Sequence, residues 1–309
     1  MNTGRVIKNT GSSYRLEDCE TGEEITCRIR GRLRLKDIRT TNPVAVGDVV
    51  DYEADPKGGC VITHVHDRKN YIIRRASNLS REAHVIAANL DAAFLVVTLD
   101  HPVTSPEFID RFLVTAEAYR VPATIVLNKS DLYTEAYAER LSRFRETYKL
   151  AGYPIVETST VSGLGIESLR LMVKDKISLF TGNSGVGKSS LIRAIDPTLN
   201  PRTGEISAYH NRGKHTTTFS EMYRLSEGGY LIDTPGIKGF GLIDFEKKEI
   251  CRYFPELMRY AAECQYYNCT HTHEPDCAVK EAVVLGYIPE SRYISYLKLL
   301  EDENDKYRK

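Results

Sequence analysis

Asn128-Lys129-Ser130-Asp131 fits the guanine-reading pattern N-K-x-D, and it lies upstream of the glycine loop Gly182-Asn183-Ser184-Gly185-Val186-Gly187-Lys188-Ser189. Asp233-Thr234-Pro235-Gly236 follows that loop. In the common arrangement of guanine-nucleotide domains the phosphate loop comes first and the base motif last. Here the order is base, phosphate, switch, so the nucleotide domain reads as circularly permuted.

The 309 residues suggest about two domains at the usual ~150 residues each, and three small ones also fit. A hydrophobic fraction of 41% is ample for a buried core. The formal net charge is zero, so any contact with nucleic acid must come from a local basic patch. The N-terminal stretch has no apolar run long enough for a signal peptide. Ala83 to Leu99 is interrupted by His84, Asn89 and Asp91, which argues against a membrane span. The expectation is a cytoplasmic protein without a membrane partner, and a monomer. Seven cysteines are an odd count, and three cluster with a histidine. Metal ligation in a reducing cytoplasm explains that cluster better than disulfides do.

Residues 1–72 read as short strands between turns: Arg5-Val6-Ile7, Glu24 to Cys27 and Val49 to Tyr52 are strand segments, and Thr21-Gly22, Gly47-Asp48 and Lys57-Gly58-Gly59 are turn signals. A small strand-rich unit of this kind points to an oligonucleotide-binding (OB) barrel. Over 73–245 strands alternate with helices. Ala93 to Thr98 and Ala123 to Leu127 are continuous apolar runs, as in strands buried on both faces. Ile177 to Phe180 runs into the glycine loop and Tyr230 to Ile232 into Asp233, with Pro106–Tyr119 and Glu135–Leu150 as crossover helices. The expected class is α/β with a mainly parallel sheet. Residues 246–309 read as helical and carry the Cys/His cluster.

The glycine loop sits after a strand and before the helix Ser190-Leu191-Ile192-Arg193, the context a phosphate loop needs. Its glycines let backbone N–H groups turn in around phosphates, and the helix N-terminus adds a favourable dipole. Lys188 is expected on the β- and γ-phosphates and Ser189 on magnesium. Asp233 ends a strand, where it can hold magnesium, and the Gly236 N–H can sense the γ-phosphate. The Asp131 carboxylate can accept from two adjacent donors on guanine. Adenine lacks that pair, and sites of this kind discriminate by roughly 10⁴-fold. Alone, N-K-S-D also fits a helix N-cap at Ser130 or Asp131; with the other two motifs it reads as a GTP site. Ser159, in Glu157-Thr158-Ser159-Thr160, is a candidate for a further base contact, against a plain polar loop.

Between loop and switch lies Arg212-Gly213-Lys214-His215-Thr216-Thr217-Thr218. One of its threonines, with Thr217 the candidate, can close over magnesium and the γ-phosphate. Ras-like proteins place a water-orienting glutamine after the D-x-x-G glycine, but here Ile237 stands there and cannot orient water. His215 is the candidate replacement.

Cys264-x4-Cys269-x-His271-x5-Cys277 offers three thiolates and an imidazole, the ligand set of a closed structural zinc site, with His273 as the alternative imidazole. Arg28, Arg30, Arg32, Arg34 and Lys36 occur at every second position, so an extended strand places them on one basic face. On an OB barrel that face is a candidate RNA phosphate-binding surface, against a merely solvated strand.

The order N-K-S-D, G-N-S-G-V-G-K-S, K-H-T-T-T, D-T-P-G and C-x4-C-x-H-x5-C, behind a small N-terminal barrel, resembles the ribosome small subunit-dependent GTPase A family (RsgA, YjeQ or YloQ) over nearly the whole chain. The resemblance implies an OB barrel, a circularly permuted GTPase domain and a helical zinc-binding domain. It also implies a role in late maturation of the small ribosomal subunit, with GTP hydrolysis to GDP stimulated by that subunit and contacts to its rRNA. Family nucleotide contacts fall on Asn128, Lys129, Asp131, Gly182 to Ser190 and Asp233 to Gly236, and the zinc ligands on Cys264, Cys269, His271 and Cys277. Two other readings compete: a GTP-gated RNA-binding switch with incidental hydrolysis, which Ile237 keeps open, and a small-molecule kinase, which the guanine motif disfavours.

Overall fold

Burial alternates with a period of two along Tyr14–Asp18, and along Asn2–Asn9 except at Val6 and Ile7, which are both buried where the register shifts, as for strands with one face on a core. The computed structural model describes residues 2–11, 13–29, 43–55, 58–75, 83–201, 220–234 and 245–304. Strands β1 (Asn2–Asn9), β2 (Tyr14–Asp18), β3 (Glu24–Ile29), β4 (Val49–Ala54) and β5 (Cys60–Val65) hydrogen-bond in the order β1-β2-β3-β5-β4, and β4 returns to pair with β1. This five-stranded closed order, with β3 and β5 parallel, is the expected barrel. Val6, Leu16, Val50 and Ile62 fill it. Cys27 and Cys60 stand opposite each other on β3 and β5 and form a disulfide, which the sequence reading did not anticipate.

A hairpin of β6 (Tyr71–Arg75) and β7 (Ala83–Ala88) follows and spans the boundary expected at 72/73. Then come β8 (Ala92–Val97), α1 (Pro106–Ala118), β9 (Ala123–Leu127), α2 (Ala138–Ala151), β10 (Ile155–Glu157) and α3 (Ile166–Val173). They are followed by β11 (Ile177–Gly182), α4 (Lys188–Ile195), β12 (Glu221–Arg224) and β13 (Tyr230–Asp233). Strands β10-β9-β8-β11-β13 run parallel in that order, and β12 pairs antiparallel with β13. The continuous apolar runs of the sequence are the central strands of this sheet. β11 is buried along its whole length because α1 and α2 cover one face and α3 and α4 the other. Phe94 and Phe180 stack across β8 and β11 with centroids 5.0 Å apart.

Helices α5 (Lys247–Ile250), α6 (Pro255–Ala261), α7 (Ala278–Val284) and α8 (Glu290–Asn304) form the C-terminal layer. Its core includes Phe254, Leu257, Val279, Ile288 and Tyr296, and Val114 of α1 packs into it. Arg292 of α8 is fully buried between Asp110 of α1, at 2.8 Å, and Glu256 of α6, at 2.6 Å. The barrel is joined to the nucleotide domain in a different way. β1 pairs with β12, so barrel and nucleotide domain share one sheet.

Candidate guanine-nucleotide site and metal cluster

Parallel strands place their C-terminal ends along one edge of the sheet, the usual position for a ligand in an open α/β sheet. Three ends matter here. β9 delivers Asn128, β11 delivers Gly182 and β13 ends at Asp233. The permuted chain order therefore closes into one site.

Two glycines make the phosphate loop fold tightly. Gly182 has φ +149°, and a Cβ there would lie 2.2 Å from the Val96 carbonyl oxygen. Gly187 has φ +96°, and its Cβ would lie 2.4 Å from Asn128 Nδ2. Only glycine fits such contacts at positive φ. Asn128, 2% exposed, donates from Nδ2 to the Val186 carbonyl at 2.8 Å, and its Oδ1 accepts from the Thr158 hydroxyl at 3.0 Å. It thus binds the phosphate loop to the base motif from inside. Lys129 is left-handed at φ 63° and donates to the carbonyl of His101. Ser130 to Leu132 form one 3₁₀ turn without a side-chain cap, so the helix-cap alternative does not hold. Asp131 is exposed and accepts from the buried Ser159 hydroxyl at 2.5 Å. Ser159 thereby orients the Asp131 carboxylate.

Lys188 heads α4 and donates to the carbonyls of Gly182 (2.9 Å) and Asn183 (2.8 Å). Burial lowers its pKa, and the charge of Asp233 partly restores it. Burial pushes the Asp233 carboxyl up to about 6, Lys188 opposes that, and Glu221 adds to it. Asp233 Oδ1 is buried with no partner among the described residues. A desolvated, unpartnered carboxylate oxygen beside a lysine fits a hard cation carried in with phosphates. Ser184, Gly185 and Ser190 are exposed around this edge, while Val186 is buried beneath it. His215, Thr217, Gly236 and Ile237 lie outside the described residues, as do Arg30, Arg32, Arg34 and Lys36. Arg28 is described, and it is exposed on β3.

In the C-terminal layer, Cys264, Cys269, His271 and Cys277 bring four ligand atoms within 4.8 Å of one another. His271 Nδ1 is 3.5 Å from both Cys264 Sγ and Cys277 Sγ, and those sulfurs are 3.9 Å apart. Those spacings suit the edges of a tetrahedral metal site. Tyr293 and Tyr296 of α8 donate to the carbonyls of His271 (2.6 Å) and Thr270 (2.7 Å), fixing the loop that carries the imidazole. His273 instead contacts the neighbouring Thr272 hydroxyl at 2.9 Å. The cluster can bind a metal.

Several contributors had no sequence signal. Thr158 belongs to the candidate segment 157–160, but its bond to Asn128 has no mark in the sequence. His101, Pro102 and Glu221 come into play only through tertiary contacts. Pro102 lies 3.5 Å from where a Gly185 Cβ would stand.

The RsgA GTPase family model matches residues 65–243, and the RsgA N-terminal domain model matches residues 3–62. The small ribosomal subunit biogenesis GTPase RsgA 2 of Bacteroides thetaiotaomicron is 55% identical over 306 residues, covering 99% of this chain and 98% of that protein. The RsgA of Phocaeicola vulgatus is 54% identical with the same coverage. Among solved structures, YjeQ from Thermotoga maritima matches with a TM-score of 0.76 and 39% identity, over 97% of this chain and 98% of that one. YloQ, described as a circularly permuted GTPase, matches with a TM-score of 0.71 and 27% identity, over 98% and 95%. With the motifs joined at one sheet edge and a relative of this identity over the full length, the chain belongs to the RsgA GTPase family.

Proposed function

We propose that this chain hydrolyses GTP to GDP and phosphate as a late assembly factor of the small ribosomal subunit, and that the subunit activates it. The observation that carries the nucleotide reading is the Asn128–Val186 hydrogen bond of 2.8 Å, which makes the base motif and the phosphate loop one site. The subunit enters from the relatives, which are small ribosomal subunit biogenesis GTPases.

In this reading Asp131 accepts from the guanine edge, Asn128 and Lys129 hold the base side, and Ser159 holds Asp131. The backbone from Gly182 to Ser190 cradles the phosphates. Lys188 moves from the Gly182 and Asn183 carbonyls to the β- and γ-phosphates. Ser189 and Asp233 hold magnesium, which supplies charge neutralisation on the phosphates when bound. Thr217 and Gly236 close over the γ-phosphate, and His215 orients water. Residues 1–72 serve as the RNA-binding barrel, with Arg28, Arg30, Arg32, Arg34 and Lys36 on rRNA phosphates. Residues 73–245 are the GTPase domain, and 246–309 hold one structural zinc at Cys264, Cys269, His271 and Cys277. The protein works as a cytoplasmic monomer. Among the described residues no helix is long and apolar enough to cross a membrane.

Equilibrium binding of fluorescent GTP and ATP, with metal analysis of the purified protein, tests this reading. Wild-type protein is expected to prefer GTP by a factor of about 10³ or more, Asp131→Ala to lose most of that preference, and one zinc to copurify per chain. Equal affinity for ATP, or a preference that survives Asp131→Ala, contradicts the assignment of the base site.

A further inference from the structure

Three charged residues stand in register across the shared sheet. In β1, Lys8 stands opposite Glu221 of β12, and Glu221 stands opposite Asp233 of β13. Directly opposed residues of antiparallel strands project on the same side of the sheet. The charge of Lys188, at the head of α4, acts on Asp233 as well. The sequence of charges in register is positive, negative, negative, with the two acids side by side.

Like charges directly opposed on a sheet repel, and here the repulsion is relieved from the barrel side. Lys8 Nζ lies 2.5 Å from Glu221 Oε1, with the two side chains only 16% and 22% exposed. The other carboxylate oxygen, Oε2, accepts from the Tyr223 hydroxyl at 3.2 Å. Lys8–Glu221 is also the one register pair that joins β1 to β12 among the described residues. Neighbouring strands are about 4.8 Å apart, so Lys8 stands roughly 10 Å from Asp233 across the sheet. That separation is about one Debye length, and the partial burial of the pair reduces screening further.

We propose that Lys8, a residue of the barrel, is a positioning residue of the nucleotide site: by neutralising Glu221 it sets the charge beside Asp233, and with it how strongly nucleotide binding depends on magnesium. The inference rests on the reading of Asp233 as a magnesium residue. Without Lys8, Glu221 adds a full negative charge beside the site. That charge attracts a divalent cation and repels bare phosphates. Without Glu221, the opposite holds. The same pair makes the barrel part of the site's electrostatics, because any partner that separates β1 from β12 removes Lys8 from Glu221.

The test is the affinity of full-length protein for a fluorescent, non-hydrolysable GTP analogue, measured in magnesium chloride and in EDTA. The readout is the ratio of the two dissociation constants (EDTA over magnesium). Lys8→Met is expected to raise this ratio about threefold or more, and Glu221→Gln to lower it by a similar factor. Lys8→Met/Glu221→Gln together should return it to within about twofold of wild type, and Lys8→Arg should leave it unchanged. Thermal unfolding of each variant identifies any that fail to fold, and Glu221→Gln and Lys8→Arg keep the comparison open if Lys8→Met is one of them. A broken structural contact would move both single variants the same way, so opposite signs are the signature of the charge effect. Both moving together, or neither moving while wild type depends on magnesium, overturns the role of Lys8. A wild-type ratio of one overturns the magnesium reading of Asp233 itself.

Discussion

Gly187 shows how narrowly the site is specified at single residues. At φ +96° with Asn128 Nδ2 only 2.4 Å from a Cβ position, alanine there strains the backbone and displaces the side chain that joins base motif to phosphate loop. Gly187→Ala is expected to cost about 1–3 kcal/mol of stability and to weaken GTP binding at least tenfold by equilibrium fluorescence. Asp233 makes a prediction of opposite sign for stability. Its carboxyl is pushed up to about 6, first by burial and further by Glu221, against the pull of Lys188. A group whose pKa rises on folding stabilises the fold below its unfolded value, near ~3.9, and that stabilisation is lost as pH rises through about 6. Above pH 6 the nucleotide-free protein therefore carries a buried charge at a cost. Asp233→Asn should raise the thermal midpoint at pH 8, by the equivalent of about 1–3 kcal/mol, and leave it little changed at pH 4. A lower midpoint at pH 8 would show that the ionised carboxylate has a partner in the free protein. At this scale the motif residues were legible, since each must sit at a fixed spacing to do its chemistry. His101 and Glu221 were not, because they come to the site only through strand pairing and loop contacts far apart in sequence.

Elements differ in how much of their packing the chain announces. The central strands β8 and β9 read directly as apolar runs, β11 as the strand that runs into the glycine loop, and α1 as a crossover helix; the structure adds its start, where Ser105 accepts from the Phe108 N–H and Pro106 opens the first turn. The four residues of the Cys/His cluster were legible from spacing, because a closed ligand set needs short, fixed intervals. What docks that layer was not. Arg292 holds α8 against α1 and α6 through Asp110 and Glu256, and its guanidinium lies 4.7 Å from the Phe254 ring centroid. Nothing local marks an arginine whose partners are 182 and 36 residues away. Arg292→Met leaves two carboxylates buried without their cation and is expected to destabilise the fold by about 3–5 kcal/mol in denaturant titration. A loss under ~1 kcal/mol would mean that water or another cation reaches them. Cys277→Ser, or a strong chelator, should release the bound metal and lower the unfolding midpoint of the C-terminal layer. Nucleotide binding should be weakened much less, since no cluster residue touches the phosphate loop among the described contacts.

Over the whole molecule, the barrel and the nucleotide domain are one sheet rather than two tethered bodies. The change of pattern near residue 72 marks the barrel off from the nucleotide domain but says nothing of how the two join. The continuity escaped that reading because β1 and β12 are joined at a single register pair more than 200 residues apart in sequence. The fold class and the permuted site were legible because motif order survives whatever the chain does between motifs. The Cys27–Cys60 pairing was not, since its two residues share no motif. The function proposed above makes this sheet the frame of a GTPase timed by the small ribosomal subunit. Steady-state GTP turnover by purified protein, with and without isolated small subunits, tests it most directly, with Lys188→Ala as control. Slow turnover alone, stimulated at least tenfold by subunits and abolished by Lys188→Ala, is the predicted result. Turnover indifferent to the subunits would rule out a subunit-timed GTPase and leave a GTP-gated RNA-binding switch in its place.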